Sequence, residues 1–172
     1  DAFNQLSKAF ATGQRYRMIV PINSYSMASG EGATLIVQAM KELDESIRPA
    51  VIAEFIDLPR SINLDMLADM MIPVLPFLDK YIAEPRPLGK DDNFTMFSNC
   101  NFFGVSLDME AAKTGGDEAI ALLTKFWAEA TNSRLKVVLE GVREQAVTDK
   151  AQQYEVFAID GPAIAEDRPD LI

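Results

Sequence analysis

The sequence predicts an α/β domain in which parallel strands alternate with helices. Short apolar runs recur along the chain, the segments between them carry apolar residues at helical spacing, and polar residues or glycine follow the runs. A strand buried on both faces reads as a continuous apolar run, and strands that alternate with helical segments are typical of βα units with right-handed crossovers. The prediction is therefore parallel βα units that form a partial or modified TIM-like barrel of about six strands.

The predicted strands and helices follow one another in regular order. The strands are residues 18–22, 50–56, 81–84, 102–107, 135–139 and 156–159. Helices are predicted for residues 2–12 and 30–47, from Asn63 as N-cap, from residues 115–118 onward, and for residues 142–153. Residues 89–101 read as irregular or short-helical, and the tail after Gly161, rich in proline and aspartate, is expected on the surface.

Composition limits the classes of function. A length of 172 residues with 48% hydrophobic and 24% charged residues predicts one globular domain, and the start at Asp1 suggests a fragment of a larger multidomain protein. The net charge of −10 argues against binding nucleic acid or anionic membranes. Because the chain has no histidine, catalytic triads and histidine zinc sites are excluded. The single cysteine, Cys100, fits a reducing compartment such as the cytoplasm, and the apolar run at 70–78 is too short to insert in a bilayer.

Polar side chains lie at the ends of several predicted strands. They are Asn23, Glu54 with Asp57 one turn further, Glu84, Asp108 and Glu140. Parallel neighbouring strands would bring them to one rim, where their oxygen atoms suit a hard divalent cation. The alternative is that polar residues gather at strand ends simply because strands stop where water begins.

Five segments carry a resemblance to a known family. They are Val20–Ser24, Val51–Asp57, Val105–Asp108, Val138–Gln145 with its Glu-Gly-Val block, and Phe157–Pro162. In order and spacing they resemble the carboxyl-terminal three-quarters of the EAL domain, the cyclic di-GMP phosphodiesterase family, which folds as a modified (β/α)8 barrel. The resemblance implies vestigial metal ligands at Asn23 and Glu54. It implies vestigial ligand-binding residues at Asp108, Glu140 and Glu155.

The departures from the family all concern its chemistry. Only 22 residues precede Asn23, and none of them forms the Glu-Ala-Leu strand. Residues 84–87, Glu-Pro-Arg-Pro, replace the paired aspartates, Ser106 replaces the catalytic lysine, and Glu155 replaces the closing glutamine. Loss of one member of a catalytic group typically costs orders of magnitude in rate. We therefore expect no catalytic residue and no cofactor, apart from weak Mg²⁺ or Mn²⁺ binding.

The expected function is that of a degenerate, catalytically inactive EAL-like domain. It would act as a regulatory or protein-interaction module in bacterial signal transduction, with a protein or other domains of the same chain as its partner. One alternative is a receptor that binds cyclic di-GMP without cleaving it, with Glu140, Arg86 and Arg143 as candidate contacts. Others are an active phosphodiesterase whose missing strands lie outside this chain, and an unrelated α/β domain with a structural role.

A partial barrel would have an open edge. An open edge exposes unpaired backbone groups. We expect the helix at residues 2–12 to cover it, or a homodimer to form there.

Overall fold

The computed structural model describes residues 2–13, 16–85 and 94–164. Six strands alternate with helices, and the strand pairs with an assigned register are parallel. The predicted fold class, parallel βα units of a partial TIM-like barrel, is confirmed. The strands are β1 Met18–Asn23, β2 Val51–Ile56, β3 Tyr81–Ala83, β4 Gly104–Asp108, β5 Lys136–Glu140 and β6 Ala158–Ile159. The α-helices are α1 Ala2–Ala11, α2 Ser24–Ala28, α3 Gly30–Lys41, α4 Leu64–Met71, α5 Phe94–Asn99, α6 Met109–Ala112, α7 Gly116–Asn132 and α8 Gln145–Gln153.

The chain divides into two compact units at Ile82 and Ala83. In the first unit, β1 and β2 pair in parallel from Met18 opposite Val51 to Asn23 opposite Ile56. The first five residues of β2 are buried, which is why this strand reads as an apolar run that only Glu54 interrupts. Helix α4 contributes to this core through its inner side, where Leu67 and Met71 are buried.

In the second unit, β5 pairs in parallel with β4 on one side and with β6 on the other. Helix α7 packs against β4, β5 and α8, and its Leu123 and Phe126 are almost fully buried. At the contact with α8, the Trp127 ring stacks on Tyr154 with centroids 4.3 Å apart, and its Nε1 donates to the Tyr154 carbonyl. The second unit therefore has a core of its own.

Some predicted boundaries are wrong. The helix predicted for residues 30–47 ends at Lys41, and the helix predicted from residue 142 begins at Gln145. Two short helices, α2 and α6, were not predicted; each begins directly at the end of a strand. Within the described ranges, no helix combines the length and the apolar character that a membrane span requires.

Candidate functional site

Asn23 ends β1 and uses both polar atoms of its side chain within the first unit. Its Nδ2 donates to Asp57 Oδ2 at 2.6 Å, and its Oδ1 accepts from the backbone N–H of Tyr25 at 2.9 Å as the N-cap of α2. An amide oxygen that caps a helix in this way satisfies one of the unpaired N–H groups of the first turn. Asn23 Oδ1, the atom that would ligate a metal ion, is therefore already engaged.

Asp57 lies just beyond β2 and is held to the end of β1 by two bonds. Besides the bond from Asn23, its backbone carbonyl accepts from Ser24 Oγ at 2.6 Å. Asp57 has a φ of 56°, a left-handed conformation that aspartate tolerates better than most residues. These contacts fix the turn after β2 against the first residues of α2.

Glu54 lies inside β2, and its side chain carries an unsatisfied atom. The residue is 3% exposed, and its Oε1 is buried without a hydrogen-bond partner. Pro21 is opposite Glu54, while Asn23 is opposite Ile56. Glu54 is therefore two residues, or about 7 Å along the strand direction, further from the carboxyl end of the strands than Asn23 is.

The residues of the first unit do not provide a complete metal site. A hard cation takes several oxygen ligands together. Glu54 offers a free oxygen, but Asn23 Oδ1 is bonded to Tyr25, and no group of three or more histidine, cysteine, aspartate or glutamate residues able to hold a metal ion occurs in the described part of the chain. Asn23 and Glu54, the vestigial metal ligands that the resemblance implies, do not by themselves form a complete metal site.

In the second unit, acidic residues end three neighbouring strands. Asp108 is opposite Glu140, and Asp160 directly follows Ile159, which is opposite Leu139. Asp108 Oδ1 accepts from the N–H groups of Glu110 and Ala111 at 2.8 and 3.0 Å and caps α6. The structure thus brings two of the predicted ligand-binding residues, Asp108 and Glu140, to the same edge.

Asp160 belongs to this edge, although sequence reasoning did not select it. Its Oδ1 accepts from the N–H of Gly141 at 2.9 Å, and its backbone carbonyl accepts from the N–H of Val142 at 3.0 Å. It follows a predicted strand just as Asp108 and Glu140 do, and that position was the signal that could have found it. Its two bonds hold the loop after β5 in place.

Glu155 lies elsewhere. It follows α8, is exposed, and has a φ of 51°. It precedes β6, whereas Asp108 and Glu140 end their strands, so the structure does not bring Glu155 to their edge. Its role at a nucleotide site stays a prediction.

Ser106 occupies the middle of β4, where the family resemblance places a catalytic lysine. It is 0% exposed, and its Oγ is buried without a hydrogen-bond partner. Alternation along the strand puts Ser106 on the same face as Asp108. A neutral, buried hydroxyl therefore stands where a cation would support an attacking water.

The proposed arginine contacts differ in what the structure describes. Arg143 is exposed and forms an ion pair with Glu110 on α6. Arg86 lies outside the described residues, directly after Pro85, which is buried. The guanidinium of Arg143 is therefore already paired with an acid of its own unit.

A small cleft lies beside the loop between β5 and α8. Glu144 crosses this region, and both of its carboxylate oxygens accept from the N–H of Gly116 at 3.0 Å, at the start of α7. The cleft has a volume of about 70 Å³ and is lined by Met109, Thr114, Ala119, Gly141, Val142, Arg143, Glu144 and Val147. Sites for drug-sized ligands are typically about 300 Å³ or larger, so this cleft is too small for a dinucleotide.

Comparison with known proteins gives a result at the level of fold. No protein-family model and no curated protein sequence matches the chain. Among solved structures, it is similar to an EAL domain protein from Listeria monocytogenes, with 18% identity and a TM-score of 0.66 over 98% of this chain and 67% of that one. The EAL domain of Xanthomonas citri FimX in complex with c-diGMP gives 14% identity and a TM-score of 0.72 over 99% of this chain and 68% of that one.

A third structure belongs to a multidomain protein. Vibrio cholerae LapD, an S helix–GGDEF–EAL chain bound to c-di-GMP, gives 12% identity and a TM-score of 0.69 over 94% of this chain and 40% of that one. At these identities the likeness establishes the fold. The chain has the fold of part of an EAL domain, and the resemblance on which the sequence prediction rests is confirmed.

Proposed function

We propose that this chain is a cyclic di-GMP signalling domain of the EAL type that does not hydrolyse the dinucleotide and acts as a regulatory or protein-interaction module. The EAL fold supports the signalling context, since solved structures similar to this chain include EAL domains in complex with c-di-GMP. The main observation in favour of a catalytically inactive domain concerns Ser106. Its fully buried hydroxyl occupies the position at which the family has a lysine.

The state of Asn23 and Glu54 supports the same proposal. Phosphodiester hydrolysis by two metal ions needs a set of oxygen ligands that clamps both ions. Here Asn23 is bonded to Asp57 and Tyr25, and Glu54 lies buried inside its strand. These two residues alone supply too few oxygen ligands to clamp two ions.

The charge of the second unit argues against tight nucleotide binding. Cyclic di-GMP carries two phosphate charges, whereas the strand ends offer the carboxylates of Asp108, Glu140 and Asp160. Like charges at close range disfavour binding unless cations intervene. Arg143, which lies three residues after Glu140, is paired with Glu110.

The second candidate function is a receptor that binds cyclic di-GMP without cleaving it. The structures of FimX and LapD with bound c-di-GMP favour it, since they share the fold of this chain. For this chain, Arg143 would contact the nucleotide by exchanging Glu110 for a phosphate. Charge reversal at Arg143 would then weaken nucleotide binding, whereas the same reversal at Arg134, an exposed residue beyond the end of α7, would leave it unchanged.

The proposal is tested by a hydrolysis time course. The domain is incubated with cyclic di-GMP and Mg²⁺ or Mn²⁺, an active EAL phosphodiesterase serves as positive control, and the nucleotide is analysed by chromatography. We expect intact cyclic di-GMP and no rise in melting temperature with either metal. Metal-dependent cleavage, or a metal-dependent rise in melting temperature that Glu54→Gln removes, would contradict the proposal.

A further inference from the structure

Exposed apolar side chains are concentrated on α4 and the turn that follows it. Four of the eight large apolar residues exposed in the described part of the chain lie here: Leu64 at 46%, Met66 at 43%, Ile72 at 59% and Leu75 at 50%. Single exposed apolar residues are ordinary, but a contiguous group marks an interaction surface. We call the surface that consists of Leu64, Asp65, Asp69, Ile72 and Leu75 the α4 face; Met66 lies on another side of the helix.

The α4 face is not needed for the core of the first unit. The opposite side of the same segment supplies the core residues Leu67 and Val74, each at 0% exposure. The helical path continues past Met71, because the N–H of Leu75 donates to the Met71 carbonyl at 3.1 Å. Asp65, Asp69 and Ile72 are therefore spaced as one outward stripe of a helix.

The charged residues of the α4 face are both acidic. Asp65 and Asp69 are exposed, neither forms an ion pair with another described residue, and the sequence from Ser61 to Asp79 contains no lysine or arginine. An apolar surface with unpaired carboxylates is complementary to a ligand that is apolar and cationic. An amphipathic helix with lysine or arginine along its polar side has this chemistry.

The negative charges of the α4 face argue against three other ligands: a second copy of the chain, an anionic membrane and the carboxyl-terminal segment of this chain. A second copy docked face to face would bring Asp65 and Asp69 of both chains together, and an anionic membrane would repel them. The carboxyl-terminal segment of this chain, residues 165–172, contains three acidic residues and one arginine, so it also has the wrong sign. The surface therefore suits a separate, cationic partner.

We propose that the α4 face binds a cationic amphipathic helix of a partner protein. The proposal rests on the interaction role proposed above and adds to it the surface and the chemistry of the partner. Leu64, Ile72 and Leu75 would pack against the apolar side of that helix, and Asp65 and Asp69 would pair with its basic residues. Apolar contacts at the centre of such an interface provide most of the affinity, and the charges set orientation and partner choice.

The test uses a synthetic leucine/lysine peptide with its leucines at helical spacing, titrated into the whole chain at physiological salt and followed by fluorescence anisotropy. The variant Asp69→Lys with Ile72→Ser changes the α4 face. The matched control is Glu31→Lys with Leu35→Ser on α3, since Leu35 is 59% exposed, as Ile72 is, and Glu31 lies one turn from it. We expect the α4 variant to weaken peptide binding about tenfold or more and the control to change it by less than about twofold.

Several results would overturn the proposal. Equal weakening by both variants would mean general attraction to an acidic protein, and the absence of binding to the unaltered chain would remove the site. Equal binding of a leucine/glutamate peptide would remove the charge argument. A concentration-dependent dimer broken only by the α4 variant would make the face a contact between copies. None of these results depends on the hydrolysis assay, so cleavage of cyclic di-GMP with intact peptide binding would contradict only the inactive state.

Discussion

Asn23 at the end of β1 and Asp57 just beyond β2 are joined by a hydrogen bond of 2.6 Å from Nδ2 to Oδ2. The other polar atom of Asn23, Oδ1, accepts from the N–H of Tyr25. A residue whose type and position suggest a metal ligand therefore acts in this structure as a helix cap and a link between two neighbouring strands.

Asn23→Ala should lower the free energy of unfolding by about 1–3 kcal/mol, because it removes a helix cap and also leaves Asp57 without its partner. The matched control is Asn63→Ala. Asn63 caps α4 by accepting from the N–H of Met66 at 2.9 Å and has no further side-chain bond among the described residues, so its loss should cost less, about 1 kcal/mol. Urea unfolding followed by circular dichroism gives both values. Equal costs would show that the bond to Asp57 adds nothing.

The two buried serines should respond differently to removal of the hydroxyl. Ser106 Oγ has no hydrogen-bond partner, whereas Ser24 Oγ donates to the Asp57 carbonyl at 2.6 Å. An unsatisfied buried hydroxyl is destabilising, and breaking a buried bond costs about 1–3 kcal/mol. Ser106→Ala is therefore expected to be neutral or stabilising and Ser24→Ala destabilising in denaturant titrations. A clear loss of stability in Ser106→Ala would mean that its hydroxyl is satisfied in solution.

Gly161 is expected to tolerate no side chain. It has a φ of 127°, and a Cβ atom there would lie 2.2 Å from the backbone nitrogen of Val142. Gly161→Ala should cost about 3 kcal/mol or more, because backbone strain adds to a clash with main-chain atoms that cannot move aside. Gly30→Ala is the control, since a Cβ there meets nothing within 4 Å and the residue begins α3. The melting temperatures of the two variants should differ by several degrees, and similar values would contradict the described path of the β5 loop.

The strands could be predicted from the sequence because their burial leaves a pattern of apolar residues. The end of helix α3 could not, because a local side-chain hydrogen bond decides it. Apart from Glu54, strand β2 is an apolar run because both of its faces are covered. The helix predicted to reach residue 47 ends at Lys41, although Leu43 and Ile47 keep the helical spacing and are buried. Asp44 Oδ1 accepts from the N–H of Ser46 at 2.8 Å, and such a bond offers the backbone a turn in place of the helix.

The candidate site was predictable in part for the same reason. Asp108 and Glu140 could be placed at one edge because parallel strands end together. That Asn23 and Asp108 begin helices α2 and α6 could not be predicted, since helices of five and four residues are too short to show an apolar periodicity. Glu155 was assigned to the site only because the closing segment of the chain resembles that of the EAL family. The pattern of buried strand residues gives that assignment no independent support.

Stability should fall between pH 10 and 12 because of Tyr81. Burial, and next the charge of Asp79, raises the pKa of Tyr81 from 10.0 to about 12, while its hydroxyl donates to the Leu78 carbonyl. The folded chain holds this proton more tightly than the unfolded chain, so the contribution is complete below pH 10 and is lost as the pH rises toward 12. Melting temperatures measured across this range should fall less steeply in Tyr81→Phe. An unchanged slope would show that Tyr81 is not the responsible group.

The inactive state is tested most directly by calorimetric titration with cyclic di-GMP, with and without Mn²⁺, and by chromatography of the nucleotide recovered from the cell. The positions of Ser106, Asn23 and Glu54 predict no manganese-dependent heat and fully intact cyclic di-GMP. Heat with intact nucleotide would favour the receptor function over the protein-interaction role. Recovery of the linear dinucleotide would contradict the account, because it would mean that the chain hydrolyses cyclic di-GMP without the lysine and the metal ligands that the family uses.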